Sequence, residues 1–409
     1  MVELRQYQKE LAEQGCNGLK QRGIVYYGMQ VRTGKTLTAL ECARLYSAKN
    51  VLFLTKKKAI ASIENDYKNG EFSYGLTVTN YEQLHRVNNI YDLIICDECH
   101  VLAAYPKPSL RTKRLRNISF NKPIIFLSGT PHAESMSQLY HQFWISKRSP
   151  WNRYYNFYKW AHDYVNVQKK RINGFDINDY SQTIQEKVTK DFLPYLITYS
   201  QEQAGFKCEI KEVFHDIDDD SVLSKIRELT KTKVLKFDDD ICVADTPASF
   251  MSKLWQLSSG TVICEKGTKI ISEKKAEYIL NNFNGKKIGI FYKFIGERSV
   301  LKKWFPDSTE SPEDFEHDKS RVFLSQVSSG REGINISSAD ALIFYNIDFA
   351  AVSFLQSRAR IQNFTRDRVA EVHWTFVRGG IEKKVYDVVS NKMDFTYRYF
   401  MNKVAHNIY

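Results

Sequence analysis

Nowhere in the 409-residue chain is there a run of roughly 18 apolar residues, the length a membrane-crossing helix needs. Residues 2–10 lack both the basic start and the apolar core of a signal peptide. The expectation is a cytoplasmic protein with no membrane partner. Cysteine is sparse: seven residues, an odd and scattered set, fit reduced thiols better than a disulfide framework. Cys96 and Cys99 form a C-x-x-C, but Cys208, Cys242 and Cys264 supply no second pair, so no metal or redox role is expected of it. Internal repeats and low-complexity segments are also lacking, and no repeat architecture is expected.

What is present describes a folded protein of two or three domains, with 43% hydrophobic and 26% charged residues. The formal net charge of +12 favours an anionic partner, nucleic acid before acidic lipid. Residues 24–27 read as a buried strand and residues 37–45 have helical spacing. Between them stands Gly28-Met29-Gln30-Val31-Arg32-Thr33-Gly34-Lys35-Thr36. A helix opening at Gly34-Lys35-Thr36 offers unpaired N–H groups to a triphosphate. Lys35 adds a point charge for the outer phosphates, and the Thr36 hydroxyl suits magnesium. The consensus phosphate loop has a glycine where Met29 stands, with Gly28 one place early.

Further strand-like runs at 51–54, 76–79, 93–96 and 124–127 alternate with helical segments. That pattern predicts an open parallel α/β sheet with ligands beyond the carboxyl ends of its strands. Asp97-Glu98-Cys99-His100 follows one of these strands directly. There Asp97 suits magnesium, and Glu98 can polarise the water that attacks a γ-phosphate. Ser128-Gly129-Thr130-Pro131 closes the next strand. Upstream, Leu4, Tyr7 and Leu11 share one face of a polar helix, and Gln8 has the paired donor and acceptor that read an adenine edge.

Residues 144–160 crowd Trp144, Trp151, Tyr154, Tyr155, Phe157, Tyr158 and Trp160 among Lys147, Arg148, Arg153 and Lys159. Such aromatics either stack on exposed bases or pack a small helical insertion, and packing is the commoner use. Asn173-Gly174 between alternating segments predicts a hairpin carrying Lys169, Lys170 and Arg171, either a duplex-contacting element or a plain structural one. From about residue 201 a second α/β region begins, with strand-like runs at 288–291, 322–324, 341–345 and 372–376. Its acidic runs at 216–220 and 238–240 read as solvated loops or helix starts. The region carries Ser328 to Asn335, then arginines 358, 360 and 366 on a helical stretch. Arginines of this kind can stabilise charge on a γ-phosphate.

In this order the stretches resemble a superfamily-two helicase or translocase, most closely the Swi/Snf-like, DEAD/DEAH-like ATPases common in phages and mobile elements. The resemblance implies an α/β fold of two tandem RecA-like lobes, at 1–145 and 201–409, around an aromatic and basic insertion at 146–200. It implies ATP and Mg2+, and a motor acting on branched or duplex DNA as a monomer, with replication or recombination proteins as further partners. It assigns Gln8 to adenine reading, Thr33, Gly34, Lys35 and Thr36 to motif one, Asp97 and Glu98 to motif two, and Ser128 to Pro131 to motif three. Lys56, Thr79 and Tyr81 fall near its strand-contacting motifs. Gly330, Glu332, Gly333 and Asn335 match motif five, flanked by Ser328 and Arg331 as nucleic-acid contacts. Gln356 and Arg360 match motif six. Two departures stand out. Arg32 occupies a place where many relatives have glycine, and Asn363 stands where the second motif-six arginine is expected, leaving Arg366 or Arg358 to follow Arg360. An RNA helicase and a nucleotide-gated clamp with weak ATPase are the alternatives.

Overall fold

The computed structural model describes the chain except residues 1–2, 71, 89, 133–134, 173–174, 207–209, 328–335, 348–360, 362–368 and 391–409. The chain divides into two compact units, Met1–Gly205 and Phe206–Tyr409. The first begins with α1 (Gln6–Arg22), whose Leu11, Ala12, Cys16 and Leu19 form one buried stripe. Gly23, at φ 69°, accepts the left-handed turn that ends it. Then follow β1 (Ile24–Met29), α2 (Lys35–Leu45), β2 (Asn50–Thr55), α3 (Ile60–Asn69), β3 (Gly75–Asn80), β4 (Leu93–Cys96), α4 (Leu110–Ser119), β5 (Ile124–Leu127) and α5 (Gln138–Trp144). Beyond these come α6 (Phe157–Tyr164), the antiparallel hairpin β6 (Gln168–Ile172) and β7 (Phe175–Asp179), α7 (Gln185–Phe192) and β8 (Leu196–Tyr199).

The six-stranded sheet has the order β3-β2-β4-β5-β1-β8, and every pairing is parallel. Its strands are short apolar runs because both faces are covered. Val25, Tyr27, Phe53, Ile95 and Leu127 lie in the core with α1 and α2, while Tyr26 and Phe126 stack among Phe143 and Phe192 opposite. β8 differs from expectation. Residues 196–199 fall within the expected insertion, yet they pair with β1 (Tyr26 with Leu196, Met29 with Tyr199) and complete the sheet. The chain leaves the sheet after β5 and returns to it.

The second unit contains β9 (Ile210–Ile217), α8 (Asp220–Thr232), β10 (Val234–Lys236), β11 (Ile241–Val243), α9 (Pro247–Ser258), β12 (Thr261–Ile263), β13 (Thr268–Ile270), α10 (Lys274–Phe283), β14 (Ile288–Tyr292), α11 (Ile295–Trp304), α12 (Pro312–Glu316), β15 (Val322–Gln326), β16 (Ala341–Phe344) and β17 (Ala370–Val377). Its five-stranded sheet, β15-β14-β16-β17-β9, is again parallel throughout. The acidic runs are partly structural. Asp216 lies in β9, Asp219 caps α8 by accepting from Val222 N, and Asp240 is buried, accepting from the Ile241 and Lys266 amides. Among the described residues no helix is long and apolar enough to cross a membrane.

Candidate nucleotide site

The strand order sets β5 between β1 and β4, so the turns after these three strands emerge side by side at one sheet edge. After β1 comes the loop predicted to cradle phosphate. Gly34 sits at φ 80° and opens α2, and a Cβ there would fall 2.1 Å from Gln8 Nε2. Arg32, at φ 66°, is a non-glycine residue in the same left-handed region. The loop's carbonyls are taken up one by one. Lys35 Nζ donates to Met29 O (3.0 Å) and Gln30 O (3.1 Å), and the Thr33 hydroxyl also donates to Gln30 O (2.8 Å). The Tyr7 hydroxyl donates to Thr33 O (3.1 Å), and Gln8 Nε2 to Gly34 O (3.3 Å). Gln8 is buried, and its Oε1 accepts from Arg5 N at 2.9 Å, so here its amide supports the loop. Thr36 is half-buried in the first turn of α2.

Asp97 and Glu98 leave the end of β4. The Thr55 hydroxyl, at the end of β2, donates to Asp97 Oδ2 at 2.7 Å. Burial, reinforced by the Glu98 charge, pushes Asp97 up to about 6 against the Thr55 bond and the Lys35 charge. Burial also penalises ionised Glu98. The His100 imidazole 3.2 Å away, together with Lys56 and Lys35, outweighs that penalty and holds its carboxyl below the ordinary range. Glu98 has φ 48°, a backbone cost of roughly 1–2 kcal/mol. Lys35 thus acts on both carboxylates, and Gly129, beyond β5, borders it, since an added Cβ would lie in ordinary contact, 3.7 Å from Lys35 Nζ and 3.4 Å from Met29 O. Among the described residues no three His, Cys, Asp or Glu side chains form a metal cluster. A magnesium ion shared with nucleotide phosphates needs only one or two carboxylates, and the desolvated Asp97 fits that role.

A buried network stands behind the carboxylates. The Tyr26 hydroxyl donates to Gln142 Oε1 (2.8 Å), the Cys99 thiol donates to Tyr26 Oη (3.0 Å), and Gln142 Nε2 donates to Pro131 O (2.8 Å). Tyr26 and Gln142 therefore join the turn after β4 to the turn after β5. Tyr81, expected among the strand contacts, is buried instead, and its hydroxyl donates to Asp97 O at 2.6 Å. That places Tyr81 in support of the carboxylate turn. Lys56, half-buried at the end of β2, faces Glu98 electrostatically, and Thr79 lies half-buried in β3.

The aromatic insertion is mostly core. Trp151, Phe157 and Trp160 are fully buried around Tyr140, while Tyr155 is 91% exposed. Lys169, Lys170 and Arg171 are exposed on β6, but Lys170 pairs with Asp179 and Arg171 stands opposite Asp176. The hairpin's positive charge is largely offset. A groove of about 500 Å³ is lined by His100, Gln138 and the hairpin-base residues Asn178, Asp179 and Tyr180. Ser328, Gly330, Arg331, Glu332, Gly333, Asn335, Gln356, Arg358, Arg360, Asn363 and Arg366, with Asn173 and Gly174, lie outside the described residues. Sequence reasoning missed three supports of the site, Tyr7, Gln142 and Gln201, the last bonded to Gln30 Oε1 and Val31 O, because none was given that role by a recognisable motif.

No family model and no curated protein sequence matches the chain.

Proposed function

We propose that the protein is an ATP-driven motor of the helicase or translocase kind, hydrolysing ATP to ADP and phosphate and acting on DNA. The observation that carries this reading is the convergence of Lys35, after β1, with Asp97 and Glu98, after β4, on either side of β5 in a parallel sheet, with Lys35 biasing both carboxylates. Lys35 and the N–H groups that open α2 bind the outer phosphates, Asp97 and Thr36 would hold magnesium, and Glu98 orients the attacking water. Magnesium supplies charge neutralisation between the phosphates. On this reading the two units are RecA-like lobes. The net charge of +12 supports the nucleic-acid partner.

The test is an ATPase assay across single- and double-stranded DNA, branched DNA and RNA. Wild type shows DNA-stimulated turnover, Lys35→Ala abolishes it, and Glu98→Gln lowers kcat by about 10²–10⁴-fold while keeping nucleotide affinity. Robust hydrolysis by Glu98→Gln sinks the assignment, and stronger stimulation by RNA reassigns the partner. A nucleotide-gated clamp is the second reading, favoured by the left-handed Arg32 in the loop. Nucleotide-dependent DNA binding without stimulated turnover identifies it.

A further inference from the structure

A loop that binds phosphate through its N–H groups must turn its carbonyls away from the anion and satisfy them elsewhere. In this loop Tyr7 of α1 satisfies Thr33 O, and Gln8 adds a bond to Gly34 O, which already accepts from Thr38 N of α2. The opposite side is held from a distant part of the chain. The β1–β8 ladder runs one residue into the loop, where Gln30 N donates to Tyr199 O at 2.9 Å. Gln201 then takes over with two bonds. Its backbone N–H donates to Gln30 Oε1 at 2.6 Å, and its side-chain Nε2 donates to Val31 O at 3.0 Å.

The turn bearing Gln201 is itself fixed. Ser200 N donates to Gln203 Oε1 (2.8 Å), Gln203 N donates to the Ser200 hydroxyl (3.0 Å), and the Tyr199 ring stacks on Tyr7 with centroids 4.5 Å apart. Tyr7 and Gln201 therefore grip the loop from its two flanks and are braced through Tyr199. Four residues after Gln201 the first unit ends at Gly205.

We propose that Gln201 is a positioning residue for nucleotide binding, keeping the Val31 carbonyl turned outward so that the loop is ordered before phosphate arrives. This rests on the nucleotide-site reading above. It makes the segment by which the chain leaves the first unit part of the phosphate loop's support, a role that neither the loop motif nor the resemblance assigns. Gln201 holds the loop through the Val31 carbonyl and the Gln30 side chain. Its loss therefore raises the ordering cost paid at binding and leaves the bound geometry at Asp97 and Glu98 unchanged.

The experiment measures equilibrium binding of magnesium and the slowly hydrolysed analogue AMP-PNP to the full chain, with KM, kcat and thermal melting alongside. Gln201→Ala is expected to weaken AMP-PNP binding and raise KM by about three- to tenfold, the effect of one neutral hydrogen bond, with kcat within about twofold of wild type. Gln201→Glu weakens binding at least as much, because a carboxylate cannot donate to Val31 O. Gln30→Ala removes the other bond without touching Gln201 and shifts affinity in the same direction, so the inference stays testable even if one variant folds poorly. Wild-type affinity in a folded Gln201→Ala protein overturns the inference alone, as does a loss confined to kcat. Failure of the wild-type protein to bind AMP-PNP overturns the nucleotide-site reading and this inference with it.

Discussion

His100 Nδ1 stands 3.2 Å from Glu98 Oε2, so the carboxylate proposed to orient water is held by an imidazole from the next turn of chain. That contact is one of the forces keeping Glu98 ionised against its burial. Removing it in His100→Ala leaves burial less opposed, and the Glu98 pKa rises. A base must be ionised to act, so the acid limb of the kcat profile moves to higher pH. Because Glu98 starts below the ordinary carboxylate range, it stays ionised at neutral pH in both proteins, so kcat there is expected to be unchanged and the loss to appear only as the pH falls. Profiles of wild type and His100→Ala carried from pH 8 down to the lowest pH at which both stay folded check this, and superimposable profiles would contradict it.

The hairpin gives a second, independent prediction. Lys169 lies opposite Asn178 with no acidic residue across from it, whereas Lys170 pairs with Asp179. If the hairpin contacts duplex DNA, each uncompensated cation contributes about one unit to the slope of log K against log salt. Lys169→Ala should flatten the slope by about that amount and Lys170→Ala by clearly less. Equal effects would show that the Asp179 pair opens on binding. Unchanged unwinding after removal of β6 and β7 would rule out a strand-separating role.

Much of the first unit was legible because its strands are short apolar runs ending in polar turns, and each run at 24–27, 51–54, 76–79, 93–96 and 124–127 became a parallel strand. β8 and β9 were not. Both are edge strands: Leu196-Ile197-Thr198-Tyr199 is only partly buried and so lacks the continuous apolar run of β4 and β5, and β9 mixes Lys211, Glu212 and Asp216 into its run. Lys35, Asp97 and Glu98 stood out because they are charged residues in polar turns that follow apolar strand runs, where an α/β sheet presents ligand-binding groups. Their supports did not. Tyr7, Gln142 and Gln201 donate to backbone carbonyls, which any sequence presents, so no partner residue marks them in the chain.

The division of aromatics in the insertion can be tested by stability. Trp160 is fully buried, stacked on Tyr164 with rings 5.2 Å apart and edge-on to Trp151. Trp160→Ala should cost about 3–5 kcal/mol of unfolding free energy. Tyr155, 91% exposed, should change stability by no more than about 0.5 kcal/mol when replaced by Ala. Urea unfolding followed by circular dichroism measures both. A small effect at Trp160 would mean that the insertion is not packed as described, and weakened DNA binding by the stable Tyr155→Ala protein would identify the ring that stacks on a base.

Acid sensitivity of the same region follows from His141. Its ring is buried, stacked on Phe157, with Nδ1 donating to Ala104 O at 2.6 Å. Burial lowers its pKa to about 4 against the opposing effect of that bond, and His132 is lowered to about 4 in the same way. The unfolded chain, with imidazoles near the ordinary 6.5, takes up protons first. The stability these rings contribute is therefore complete above about pH 6.5 and is lost as pH falls towards 4, by a few kcal/mol per ring on the order-of-magnitude scale of such shifts. His141→Gln keeps a donor for Ala104 O but cannot titrate. It should be less stable than wild type at pH 7.5, by about 1–2 kcal/mol from imperfect packing, yet lose less stability between pH 7 and pH 5. Urea midpoints of the two proteins at those pH values decide the matter, because His132 and the histidines of the second unit contribute equally to both. Parallel declines would show that the His141 site admits a proton as readily as water does.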